Sequence, residues 1–332
     1  MAHPVKLPWL FLHLAAGVAA AFSSILFSGH SAWSQAVRII KVVVAVPAAG
    51  PNYALANQFA EQISEAFRQA QGPMIEIATR TLADGTMGAE DVLHAAPDGN
   101  TLLITSNVFI INPYVRQVHY DPLTDFEPVC YLARLPEVVV VSSTSQYRTL
   151  ADLLSAARTT PGDLTMASLG PTGSSHIAIE MLKLAANINM KYVPYPSQVA
   201  AVNALLGEHV TSAVITYVGV AEHLKDGKLR ALATASRTRI EPLPDVPAVA
   251  ESGYKDYEAE VRLWLFAPAK TPKEAVSQLA GWFTTAMQAP EVKAKLVARG
   301  LYPVGMCGAD FGDYFRKQYI EFGRVIRESG IR

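Results

Sequence analysis

The chain has 332 residues, of which 50% are hydrophobic and 17% charged, with a formal net charge of −1. That balance suits a soluble globular protein with room for two ordinary-sized domains. It excludes a nucleic-acid binder, because affinity for a phosphate backbone needs clustered Lys and Arg, and no basic block occurs.

In chain order, the N-terminus differs from everything after it. Lys6 is the only Lys or Arg before Arg38, an apolar run covers 7–27, and small and polar residues follow. Cation, apolar core and small-residue exit are the order of a secretory signal peptide, so 1–36 is read as one, with cleavage within 32–37. The run approaches the length of a membrane span. Gly17, Ser23, Ser24 and His13 inside it argue for cleavage instead.

Residues 39–46 (IIKVVVAV) form a nearly continuous β-branched run, the mark of a buried parallel strand. Residues 54–70 read as a helix, with Leu55, Phe59, Ile63 and Phe67 four apart. A strand at 75–78, a helix at 88–95 ended by APDG, and a strand at 101–105 complete a β-α-β-α-β unit. A second unit has strands at 137–142, near 166, at 210–218 and at 229–235, with helices at 150–158, from His176, and at 199–206. A Pro-rich connector, 241–253, precedes a strand at 263–267, and helices at 272–288, 290–299 and 309–328 close the chain. The last of them carries Phe311, Phe315, Ile320, Phe322 and Ile326 and needs a sheet to cover. It returns to the first one. The expected architecture is α/β, each of two domains a mostly parallel sheet flanked by helices. Domain 1 is discontinuous, 37–136 and 263–332, and domain 2 is 137–262. Two crossings, near 135–137 and 260–263, make a hinge whose cleft is the ligand site.

The segment MASLGPTGSSHIAIEMLK, 166–183, is the strongest candidate for that site. A small-residue loop opening a helix leaves backbone N–H groups unpaired at the positive end of the helix dipole, which holds an anion without any Lys or Arg. Thr172, Gly173, Ser174, Ser175 and His176 are therefore candidate ligand-binding residues, against the plainer reading of an N-capped βα turn. The first βα turn, around Ala49, Gly50, Asn52 and Tyr53, is a second candidate; it is neither a P-loop nor a dinucleotide fingerprint. Ser106, ending the third strand, and Tyr195 complete the pocket. Catalysis finds little support: adjacent Ser175 and His176 do not make a triad, no G-x-S-x-G elbow occurs, and His176 with Glu180 lacks a third metal ligand. No cofactor or metal is expected. Cys130 and Cys307 either pair in an oxidising compartment or stay buried as small hydrophobes; the sequence leaves both open.

Nine short segments lie in order along the chain: GAE at 88–90, APDG at 96–99 with TLL, NP at 112–113, YDPLTDF at 120–126, GSSH at 173–176, VPY at 193–195, GKLRALA at 227–233, LPDVPAVAESG at 243–253 and LFAPA at 265–269. By these the mature chain resembles the Bug family, periplasmic receptors of tripartite tricarboxylate transporters. The resemblance implies a two-domain periplasmic-binding-protein-like fold, no catalytic activity, no cofactor, a small organic carboxylate as ligand and membrane permease subunits as partners. It makes the chain a periplasmic, monomeric receptor; an extracytoplasmic sensor uncoupled from transport, or an enzyme on the same fold with His176 as base, are the alternatives. The chain departs from the family at AVPAAGPNY (45–53), where Tyr53 replaces a usual Asp, and at Ile215, where another Asp is usual. Arg262 stands where an aromatic is common. Losing two acidic groups and gaining Arg262 as a bidentate clamp points to a carboxylate without an amino group; a salt bridge from Arg262 to Glu258 or Glu260 is the competing expectation.

Overall fold

The computed structural model describes Met1 and residues 38–48, 51–170 and 173–331, with residues 51 and 52 described by backbone alone. The expected signal peptide lies outside the described residues.

The β-branched run forms β1 (Ile39–Ala45), which pairs in parallel with β2 (Met74–Thr79) and β3 (Thr101–Ser106). Between them lie α1 (Pro51–Gln69) and α2 (Thr86–Leu93). The apolar stripe that predicted α1 is the face it buries: Leu55, Phe59, Ile63 and Phe67 are all at most 6% exposed. On the first sheet's side, the periodicity did not announce α3 (Val108–Val115), the ten-residue β4 (Phe126–Leu135) and, near the C-terminus, β11 (Tyr302–Cys307). Together with β10 (Val261–Pro268) they complete a six-stranded sheet of order β11-β4-β10-β3-β1-β2. β10 is antiparallel to both β3 and β4, and β11 is antiparallel to β4, so four of the six strands run one way.

The second sheet has the order β7-β6-β8-β5-β9. Its strands are β5 (Glu137–Ser142), β6 (Thr165–Leu169), β7 (Lys191–Tyr195), β8 (Ser212–Thr216) and β9 (Leu229–Thr234). Only β5 opposes the rest, pairing antiparallel with β8 and β9. Its helices are α4 (Leu150–Thr159), α5 (Ser174–Ala186), α6 (Gln198–Leu206) and the short α7 (Ala221–Lys225). α4 begins with a capping box, Thr149 and Asp152 each satisfying the other's backbone N–H. Both sheets are thus mostly parallel in strand direction and flanked by helices.

The chain passes between sheets twice. Leu135 ends β4 and Glu137 begins β5, while Val261 opens β10 after the long connector from β9. The closing helices α8 (Lys273–Gln288), α9 (Pro290–Val297) and α10 (Ala309–Ser329) pack on strands of the first sheet. α10 lies against α3, β4 and β11, and also against α5 of the second sheet. Phe311, Phe315, Phe322 and Ile326 are its buried face; Ile320 is 60% exposed and does not belong to it. A single apolar cluster runs from Val43 and Leu103 through Phe311 and Phe315 to Val139 and Met166, so both sheets share a core. The described residues from Arg38 onward form one compact unit. Cys130 and Cys307 are joined by a disulfide that ties β11 to β4, which settles the alternatives the sequence left open.

Candidate functional site

A cavity of about 190 Å³ opens where the two sheets meet. The first sheet contributes Pro47 after β1, Asp84 before α2, Ser106 at the end of β3, and Val108 and Asn112 on α3. The second contributes Leu169 and Gly170 after β6, Gly173 to Ser175 at the head of α5, Pro196 and Gln198 at the head of α6, and Val214 to Thr216 of β8. Strand ends and helix beginnings meet here because a parallel βα unit puts the carboxyl end of its strand beside the amino end of its helix.

α5 supplies the electrostatics. Its first carbonyl acceptor is Gly173 O, taken by the N–H groups of His176 and Ile177. The N–H groups of Ser174 and Ser175 therefore have no acceptor in the helix and sit at its positive end. The cap residue Gly173 makes no side-chain bond, and a Cβ there would lie 2.7 Å from the Leu169 carbonyl oxygen, so the tight entry requires glycine. Opposite, Ser106 is only 3% exposed and its hydroxyl has no hydrogen-bond partner among the described residues. A hydroxyl that opens on the cavity can donate to, or accept from, a ligand group. Gln198 and Thr216 face the same space and bind each other, Thr216 Oγ1 donating to Gln198 Oε1 at 3.1 Å. No Lys, Arg or His lines the cavity among the described residues.

Asp84 is a wall residue. It follows Ala83 in the left-handed region (φ 51° and 54°), an arrangement costing roughly 1–2 kcal/mol per residue. Its carboxylate is held at 2.6 Å by Arg116 Nη2, and its carbonyl accepts from Asn112 Nδ2 at 3.4 Å. The Asn-Pro segment that the sequence marked only as a matching motif thus braces this turn.

Of the residues expected at the site, Ser106, Gly173, Ser174 and Ser175 are brought together. Ala49, Gly50 and Thr172 lie outside the described residues, as does the Asn52 side chain. Tyr53, Tyr195 and His176 are not among the lining residues. Tyr53 packs on the core of the first sheet and Tyr195 on that of the second. His176 stacks on Tyr192, ring centroids 3.7 Å apart, with Nε2 3.6 Å from Glu180 Oε1. Burial pushes the Glu180 carboxyl up, but the bonds from His176 and Lys183 outweigh it and hold it low.

Arg262 corrects an expectation. It is fully buried, and its guanidinium donates to Tyr314 Oη at 2.7 Å, to the carbonyls of Glu260 and Glu258, and to Glu258 Oε1 at 3.4 Å. The competing salt bridge to Glu258 is the one formed, and the buried guanidinium is not among the residues that line the cavity. Asn107 fixes the same strand entry: Nδ2 donates to Glu260 O at 3.0 Å while Oδ1 accepts Arg262 N at 2.7 Å. Since Asn107 follows Ser106, the cavity wall is bonded directly to the second crossing. Sequence reasoning missed Asp84, Asn112, Gln198 and Thr216; for Gln198 the signal was its place at a Ser-capped helix start after Tyr195, in the pattern already used for α5.

Residues 55–331 match the family model described as tripartite tricarboxylate transporter family receptor. A UPF0065 protein encoded in the tcbD-tcbE intergenic region of a Pseudomonas species is 31% identical over 293 residues, 88% of this chain and 86% of the relative. A Rhodopseudomonas palustris protein solved with adipate superposes with a TM-score of 0.70 at 26% identity, covering 90% of this chain and 99% of that one. MatC from the same organism, solved with bound malate, gives 0.67 at 25% identity over 88% and 99%. The chain belongs to the tripartite tricarboxylate transporter receptor family.

Proposed function

We propose that this chain is a periplasmic solute-binding receptor that captures a small organic carboxylate in the cavity between its sheets and presents it to the membrane permease subunits of a tripartite transporter. The observation that carries this is the placing of the Ser174 and Ser175 N–H groups at the head of α5 and the hydroxyl of Ser106, without acceptors or partners among the described residues, on one cavity. An anion there gains fixed donors at little reorganisation cost. The dicarboxylates adipate and malate held by two structural neighbours support the ligand class. The two crossings act as a hinge between lobes 37–136 with 263–332 and 137–262, closing as a monomer over the ligand. On this reading the protein binds its ligand without turning it over; the stacking of His176 on Tyr192 and its pairing with Glu180 support a structural place for that imidazole.

The test is a thermal melt of the chain from Val37 against mono-, di- and tricarboxylates, aromatic acids and amino acids. A ligand at a hundred times its dissociation constant adds about 2.7 kcal/mol. For a body of this size that is a shift of about 4 °C. A shift confined to carboxylates supports the reading; turnover of the bound acid, or no carboxylate shift in protein shown to be free of ligand, overturns it.

A further inference from the structure

We propose that the cavity binds its anion together with a proton carried on Glu137, so that the species taken up is the anion plus one proton. The inference rests on the receptor reading above and adds a second ligand to it.

Glu137 opens β5 at the first crossing, directly opposite Thr216 of the cavity wall in the β5–β8 ladder. It is 0% exposed. One carboxyl oxygen accepts a hydrogen bond from Ser175 Oγ, and the other, Oε2, is buried with no partner. A buried carboxylate with an unsatisfied oxygen is costly, and taking up a proton removes that cost. Ser175 is the second residue of α5 and lines the cavity. A single hydroxyl therefore separates the ligand space from the buried acid.

That hydroxyl has one proton to give. With Glu137 ionised, Ser175 must donate to it, so only oxygen lone pairs face the cavity, and these repel an anion. With Glu137 protonated, its own O–H donates to Ser175 Oγ, and the Ser175 proton turns toward the ligand. The chain Glu137 O–H to Ser175 O–H to carboxylate satisfies every donor, and the one covalent change is the O–H bond that Glu137 forms with a proton taken from solvent. The arriving anion also places a second negative charge beside Glu137, which favours its neutral form further.

The groups facing Glu137 agree with this. Burial pushes its carboxyl from 4.5 up to about 7; the Ser175 bond and Arg262 pull the other way, and Glu260 adds to the rise. Arg262 on β10 is already engaged with Tyr314 and Glu258, and Glu260 has Arg134 on β4 and Ser236 as partners. Tyr257, in the connector before β10, donates to Ala178 O on α5 and offers Glu137 nothing. Glu137 is thus a positioning residue that acts on the ligand through Ser175.

The experiment is isothermal titration with whichever carboxylate gives the largest melting shift in the panel above, in buffers of contrasting ionisation enthalpy at about pH 6, 7 and 8.5. A monocarboxylate is already ionised at these values; for a di- or tricarboxylate the ligand's own last ionisation is titrated separately and subtracted, and the remaining linkage belongs to the protein. We expect uptake of a fraction of a proton that grows from pH 6 to pH 8.5, and affinity falling roughly 10-fold or more between pH 7 and pH 8.5. Glu137→Gln keeps a neutral group that donates to Ser175; it retains binding and loses both the proton uptake and the pH slope. Ser175→Ala weakens binding at pH 6 and flattens the slope. Melts of both variants verify folding. Binding with no proton uptake and a flat profile overturns the inference and leaves the receptor reading standing. A pH slope that survives in Glu137→Gln assigns the proton to another group and overturns it too. No binding of any carboxylate at any pH overturns both readings.

Discussion

Reduction of the Cys130–Cys307 disulfide is the perturbation whose magnitude follows most directly from the structure. The bond closes a loop with a sequence separation of 177, which contains the whole second sheet, β10, α8 and α9. Loop-closure entropy for that length corresponds to about 5 kcal/mol at room temperature. The local structure offers little to replace it. β11 is an edge strand, every one of its six residues is only partly buried, and its pairing with β4 breaks register between Pro303 and Met306. The unfolding entropy of a body this size is roughly 0.6 kcal/mol per degree, so the melting temperature should fall by about 8 °C on reduction. The assay is calorimetry with and without a non-thiol reductant, with Cys130→Ala/Cys307→Ala as a reductant-insensitive control. Hydrogen exchange should show β11 losing protection before β4 or β10. Oxidised and reduced protein melting within about 1 °C of each other would refute the reasoning, since the ladder alone would then be holding β11.

Three further outcomes are expected. Glu137 has a folded pKa of about 7 against 4.5 in the unfolded chain; an acid raised in this way loses stability as pH climbs from 4.5 through 7, here on the order of 3 kcal/mol. Urea midpoints of Glu137→Gln and wild type should therefore diverge between about pH 5 and pH 8, with the variant more stable at the higher pH. Gly219→Ala places a Cβ 1.4 Å from Gln198 Nε2; the amide must leave the cavity wall, and carboxylate affinity should fall several-fold in titration calorimetry while the fold persists. Arg262→Leu leaves Glu258 and Glu260 without their buried cation and should cost about 3–5 kcal/mol in denaturant unfolding. If that variant instead keeps its stability and loses carboxylate affinity, Arg262 serves the ligand after all.

Strands and helices that bury a continuous or evenly spaced apolar face were legible: β1, β5, α1 and α10 lie within three residues of where periodicity put them. The missed strands share a physical reason. β7 and β11 are the outer strands of their sheets and carry Pro194 and Pro303, tolerable at an edge but contrary to a strand pattern. β4 is internal, yet contains Pro128, accommodated beside a register shift in its pairing with β10. At the site, the α5 head was readable because small residues before an apolar helix have few uses. Asp84 was not, because its place on the wall depends on a left-handed turn that only tertiary contacts to Asn112 and Arg116 enforce. Arg262 was readable as important but not in its role, since burial decides whether a guanidinium meets a ligand or a neighbour.

The two crossings hold two buried carboxylates, and the protein treats them differently. Glu260 is 3% exposed, but Arg134 stands 3.4 Å away, Ser236 Oγ donates at 2.7 Å, and the charge of Arg262 lies near. Burial still raises its pKa, yet those cations are present to carry its negative charge. Glu137, more deeply enclosed, receives one hydroxyl and keeps an empty oxygen. If burial at a crossing simply demanded neutralisation, the cations packed into this region would serve both acids. Arg134 pairs with Glu260 alone, while Arg262 acts on both acids through its charge. The acid without an ion pair is the one whose hydroxyl donor lines the ligand space, so loss of its proton is felt at the ligand. A carboxylate that is merely structural gains nothing from that arrangement, whereas one that must exchange a proton when an anion arrives requires it.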